Sequence, residues 1–130
     1  MDYKSLSQKA IDAKKLSVPT YSKFRVGAAL LTEDDKLYLG GNIETSSYSL
    51  TICAERTAVF KAISEGERKF KAIAIASDAE DYISPCGACR QVMSELCGNI
   101  DVVMLNSKDE QRIEKLSSLL PYPFGMKNLI

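Results

Sequence analysis

The sequence predicts a three-layer α/β/α domain around a mixed five-stranded sheet. Two patterns carry this: segments with apolar residues at helical spacing alternate with short apolar runs suited to buried strands, and an early pair of strands is joined by an acidic turn. Length agrees, because 130 residues can bury one core but are too few to split comfortably, so residues 1–130 are read as one domain.

Leu6, Ala10, Ala13 and Leu16 recur at helical spacing and predict an opening helix of roughly four turns, stopped before Pro19. Phe24, Val26, Ala28 and Leu30 then alternate as a strand. Thr32-Glu33-Asp34-Asp35 offers turn residues, and a second strand from Lys36 ends at Gly40-Gly41, completing a β-hairpin. Ala54, Ala58, Val59, Ala62 and Ile63 form one apolar helical face ending near Gly66, followed by a buried strand from Phe70 to Ala76. The pairing repeats. Pro85 opens a helix carrying Ala88, Val92, Met93 and Leu96 that ends near Gly98, and Ile100 to Leu105 reads as another buried strand. Gln111 to Leu116 is expected at a sheet edge and Ser117 to Leu120 as a short helix. This order implies parallel neighbours joined by right-handed crossovers, with helices on both faces of the sheet.

Composition narrows the function. Basic and acidic residues balance at 17 each, and the pI lies near 6.3, so no excess of cations is available to hold a polynucleotide backbone. The polar start from Met1 to Leu6 lacks the apolar centre of a secretory signal, and no run approaches the ~18 apolar residues of a membrane span. A soluble, cytoplasmic protein with no membrane partner is expected. In a reducing compartment its four cysteines point to metal or redox chemistry rather than disulfides. The chain has no histidine, so any zinc must rely on cysteine and carboxylate, and no imidazole can act as general base.

Cys53-Ala54-Glu55 and Pro85-Cys86-Gly87-Ala88-Cys89 each stand at the expected start of a helix, roughly thirty residues apart. Free N–H groups and the positive end of the helix dipole favour thiolate over thiol there. Cys86 and Cys89, three apart, can share one tetrahedral ion, and three thiolates leave one position open to water, as a catalytic rather than a structural zinc site requires. Glu55 is then placed to take a proton from that water.

With these residues the chain resembles the cytidine deaminase family, of the small, usually tetrameric, all-cysteine type. The likeness runs in order through Tyr21 to Ala29, Gly41-Asn42-Ile43-Glu44, Cys53 to Ala58, Ser84 to Gln91, and Leu119-Leu120-Pro121 with Phe124. Within the wider zinc-deaminase superfamily, Cys53 stands where many relatives carry histidine. The resemblance implies one Zn²⁺ per subunit on Cys53, Cys86 and Cys89, with Glu55 as general acid and base. It implies that Arg56 hydrogen-bonds the ligand sulfurs, offsetting the negative charge of three thiolates on one divalent ion. Arg90 is read instead as part of a solvated helix face.

For the substrate, the resemblance implies that Phe24 packs against a pyrimidine while Asn42 and Glu44 bind the ribose hydroxyls. Backbone near Ala54 and Ser84 would meet the base edge, and Phe124 would reach a neighbouring subunit's pocket in a homotetramer. From the residues alone, Phe24 could equally be core, Asn42-Ile43-Glu44 a capped loop, and Phe124 a residue tucking the tail onto its own domain. The implied reaction is hydrolytic deamination of cytidine and deoxycytidine, as in pyrimidine salvage. A 5′-phosphate would find no obvious cation except Lys23. Competing readings are a related cytosine nucleoside such as blasticidin S, a structural zinc site, a thioredoxin-like pair at Cys86 and Cys89, and a polynucleotide-editing enzyme. Cys97 is expected as a free thiol.

Overall fold

A computed structural model describes residues 1–129. Helix α1 (Tyr3–Ala13) continues into a 3₁₀ turn (Lys14–Leu16), so the expected opening helix tightens in its last turn before Pro19. Asp2 caps α1 by accepting from the Ser5 amide at 2.7 Å. The strands and further α-helices are β1 (Val26–Thr32), β2 (Leu37–Gly41), α2 (Ala54–Ser64), β3 (Phe70–Ser77), α3 (Gly87–Leu96), β4 (Asp101–Leu105), β5 (Gln111–Lys115) and α4 (Leu116–Leu119), with 3₁₀ turns at Tyr48–Leu50 and Met126–Asn128.

The five strands form one sheet in the order β2-β1-β3-β4-β5. The hairpin pairs Ala28 with Gly40 and Leu31 with Leu37, and β1 also lies antiparallel to β3. Within the sheet, parallel pairing joins β3 and β4, whose connection carries α3, and β5 closes the far edge antiparallel to β4. The other implied crossover, through α2, joins β2 to β3 across the intervening β1.

Side chains alternate across the central strands and give each face its own core. Ala28, Leu30, Ile73, Ile75, Val102 and Met104 point towards α2 and α3, whose Ala54, Ala58, Val59, Ala62, Cys89 and Met93 are buried against them. Ala29, Leu31, Ala72, Ala74, Val103 and Leu105 face α1, where Leu6 and Ala10 are buried. Helices on both faces explain why the central strands read as continuous apolar runs.

Two glycines set how closely the helices approach. A Cβ on Gly27 would lie 2.2 Å from the Ala10 carbonyl oxygen of α1, and one on Gly40 would lie 2.6 Å from the Ala54 oxygen and 2.7 Å from the Ala58 nitrogen of α2. Only a residue without a side chain lets each helix rest on the strand backbone at these positions.

The alternation that begins at Phe24 becomes a strand only at Val26. Lys23 adopts a left-handed backbone, φ 60°, and the Asn42 side chain takes up both neighbouring main-chain groups. Its Oδ1 accepts from Val26 N and its Nδ2 donates to the Phe24 carbonyl, each at 2.9 Å.

Candidate active site

Helices α2 and α3 lie on the same face of the sheet and their N-termini meet. Cys53 is the N-cap of α2 and Cys86 that of α3, with Cys89 in the first turn of α3. Cys53 Sγ lies 3.6 Å from Cys86 Sγ, which lies 3.3 Å from Cys89 Sγ, and all three sulfurs fall within 4.8 Å of one another. A tetrahedral ion with Zn–S bonds of about 2.3 Å needs sulfurs about 3.8 Å apart, so the cluster is close to that spacing without rearrangement. Among the described residues no fourth cysteine or carboxylate joins the group, which leaves one corner for water.

The three thiols have unequal surroundings. Cys89 is fully buried, Cys53 half-buried and Cys86 exposed. Hydrogen bonding to Cys89 and to Arg56 lowers the Cys53 thiol to about 5 despite its burial, whereas Cys89 is pushed upward by its bond to Cys53 and by burial. Of these two, Cys53 is the thiol whose surroundings favour the thiolate. Arg56 sits beside it, with Nη2 3.5 Å from Cys53 Sγ. Its Nε is buried without a hydrogen-bond partner, so a cation is held here at a desolvation cost that a more negative, metal-loaded cluster would offset. Three convergent sulfurs and a neighbouring cation fit a thiophilic divalent ion.

Glu55 is only 4 % exposed. Burial, reinforced by the charge on Cys53, raises its carboxyl to about 7, the range in which a carboxyl can both accept and release a proton near neutrality.

A cleft of about 460 Å³ opens over these residues, lined by Cys53, Ala54, Glu55 and Cys86 together with Phe24, Asn42 and Glu44. Ser84 completes the wall, so the fold gathers five of the six expected substrate-contact positions. Ser22, Val26, Thr51, Ile52 and Ile83 also line the cleft without having been singled out. Ser22 carried a usable signal, since it lies within the Tyr21 to Ala29 block.

Asn42 and Glu44 are already engaged. Beyond its two backbone bonds, Asn42 Nδ2 lies 3.4 Å from Glu44 Oε2. Glu44 Oε1 accepts from the amides of Tyr21 and Ser22 at 2.9 Å each, and Oε2 accepts from the Ser22 hydroxyl. These bonds, the Ser22 hydroxyl foremost, hold its carboxyl below the ordinary range.

Phe124 is the expected contact that the chain does not bring to its own cleft. The residue is 59 % exposed, and its carbonyl oxygen accepts from the Gln91 side chain at 2.5 Å. Arg90 requires a correction. It is half-buried rather than solvated, because three main-chain and hydroxyl acceptors surround its guanidinium. Cys97 is a half-buried free thiol whose pKa burial pushes up to about 12, away from the cluster.

Comparison with known proteins agrees with this arrangement. Residues 1–106, which include all three cysteines, match the family model described as the cytidine and deoxycytidylate deaminase zinc-binding region. The chain belongs to the cytidine deaminase family. The cytidine deaminase of Sporosarcina psychrophila is 48 % identical over 130 residues, covering 99 % of this chain and 96 % of that protein. That of Halalkalibacterium halodurans is 46 % identical, with 99 % and 98 % covered. Among solved structures, the cytidine deaminase from Burkholderia pseudomallei superposes with a TM-score of 0.93 at 43 % identity, covering 95 % of this chain and all of that one. The cytidine deaminase fold thus coincides with a zinc-binding region that contains the Cys53, Cys86 and Cys89 cluster, in a deaminase family whose reaction is hydrolytic. Among the described residues no helix is long and apolar enough to cross a membrane.

Proposed function

We propose that the chain converts cytidine and deoxycytidine to uridine and deoxyuridine with release of ammonia, in pyrimidine salvage in the cytoplasm. The observation that carries this reading is the presence of buried Glu55 beside three convergent thiols in a cleft that Phe24, Asn42 and Glu44 also line.

Cys53, Cys86 and Cys89 would hold one zinc ion, whose Lewis acidity makes water nucleophilic near neutral pH. Glu55 takes a proton from the water and delivers it to ring N3 as oxygen adds at C4. It then moves the second proton to the exocyclic amine, the C4–N bond breaks, ammonia leaves and the C4 carbonyl forms. Arg56 stabilises the charge that accumulates on the sulfurs. Phe24 packs on the pyrimidine, backbone at Ala54 and Ser84 meets the base edge, and Asn42 and Glu44 bind the ribose.

The charge of the cleft supports a nucleoside over a nucleotide. Its described lining includes two carboxylates, Glu44 and Glu55, and no lysine or arginine. Lys23, the nearby candidate for a phosphate, donates instead to the Thr20 carbonyl at 2.8 Å. The exposure of Phe124, which does not line its own chain's cleft, supports a homotetramer in which it enters a neighbour's pocket.

The test is absorbance-monitored conversion of cytidine by purified protein, with zinc measured on the same sample. Rapid conversion at about one zinc per chain is expected. A zinc-loaded protein that leaves cytidine and deoxycytidine untouched but deaminates blasticidin S would overturn the substrate assignment.

A further inference from the structure

Arg90 directly follows Cys89 in α3, and its side chain turns away from the sulfurs towards the segment that precedes Cys86. Its Nε donates to the Pro85 carbonyl at 2.7 Å and its Nη2 to the Ser84 hydroxyl at 3.1 Å. Its Nη1 donates to the Leu119 carbonyl at 2.7 Å, at the end of α4. One planar fork thus joins three acceptors on two chain segments that are far apart in sequence. Ser84 and Pro85 belong to no helix or strand, and Pro85 has no N–H with which to anchor itself. The Leu119 carbonyl lies at a helix C-terminus, where carbonyls lack helical partners. The next residue, Gln91, holds the same C-terminal segment further along, at the Phe124 carbonyl.

We propose that Arg90 is a positioning residue that locks the Ser84–Pro85–Cys86 segment to the C-terminal segment, so that the place of Cys86 and of the Ser84 wall depends on the chain after β5. This rests on the proposed roles of Cys86 in metal binding and of Ser84 in the pocket. Cys86 needs such a brace. It is the exposed member of the cluster, and the core packing that holds Cys89 is not available to it. A lysine at position 90 could satisfy one or two acceptors as a point charge but could not span all three with a planar fork.

The test uses full-length, zinc-loaded wild-type, Arg90→Gln and Arg90→Lys proteins. It reads the rate of zinc transfer to a chromogenic chelator, KM and kcat for cytidine, and the urea midpoint. Loss of a partner that orients a metal ligand typically costs about 10–100-fold in affinity, so Arg90→Gln should release zinc at least about tenfold faster, with Arg90→Lys intermediate. KM should rise by a larger factor than kcat falls. Wild-type zinc release and wild-type KM in a folded Arg90→Gln protein overturn the proposal, as does a lowered urea midpoint with zinc release unchanged. If Arg90→Gln does not fold, Arg90→Lys decides by the same readings. Wild-type protein that holds zinc but leaves cytidine intact would refute the substrate reading alone, because zinc release still measures the brace.

Discussion

The Glu44 carboxylate closes back on Ser22, accepting from both its amide and its hydroxyl while also accepting from the Tyr21 amide. With Asn42 Nδ2 at 3.4 Å, each carboxylate oxygen faces two donors, close to the capacity of the group. In the proposed substrate complex a ribose hydroxyl would therefore share or displace one of these bonds. On the proposed substrate reading Glu44 would have two tasks, to pin the Tyr21–Ser22 turn that precedes Phe24 and to receive the sugar. Glu44→Gln should raise the KM for cytidine by about tenfold or more while lowering kcat less, since a hydrogen bond to a charged acceptor is stronger than one to a neutral amide. Steady-state kinetics checks this, and an unchanged KM would remove the residue from the substrate site.

Gly40→Ala places a methyl group against the backbone of the first turns of α2, which follow Cys53 and carry Glu55 and Arg56. The obstruction is main chain, so no rotamer change relieves it. A loss of about 1–3 kcal/mol or more is expected by urea denaturation. Because a shift of α2 moves Cys53 relative to Cys86, zinc content should fall as well. Wild-type stability would mean that the strand and helix can separate freely.

Much of the site was legible because its signals are local. A helix N-cap is written in a few residues, and Cys53, Cys86 and Cys89 all sit at or next to one. The strands were legible because helices cover both faces of the sheet. Arg90 was misread because its partners are two main-chain carbonyls and one hydroxyl in segments with no periodicity. Asn42 presents the same difficulty: its bonds to Phe24 and Val26 reach across a fold that only the hairpin creates. They also explain why the alternation starting at Phe24 overshoots the true start of β1.

Asp101 ties the outer strands to α1. Its carboxylate bonds Lys115 Nζ at 2.7 Å and the Tyr3 hydroxyl at 2.6 Å, and these, the lysine first, hold it below the ordinary carboxyl range. A carboxyl depressed in the folded state stabilises the protein above its unfolded pKa, and that contribution disappears as pH falls through the folded value. Asp101→Asn should therefore lower stability near pH 7 by about 1 kcal/mol or less, given the partly exposed pair, and cost less still at about pH 3. Urea midpoints at both pH values measure the difference, and an equal loss at both would exclude the charge as its cause.

Glu55 supplies the sharpest separation between metal binding and proton transfer. It adjoins the cysteine cluster but is not needed as a ligand, so Glu55→Gln should retain about one zinc per chain. The amide cannot accept a proton from water or return one to N3 and the amine, and kcat should fall by at least about 10²–10⁴-fold. Because the substituted side chain is nearly isosteric, the cleft should keep its shape and cytidine should still bind, which equilibrium dialysis can measure on the inactive protein. Burial of a carboxyl raised to about 7 is also a stability cost, so the neutral amide should leave the urea midpoint at or above that of the wild type. Retained zinc, retained binding and lost turnover together would assign Glu55 to proton transfer. Undiminished turnover with zinc bound would require another base in the cleft.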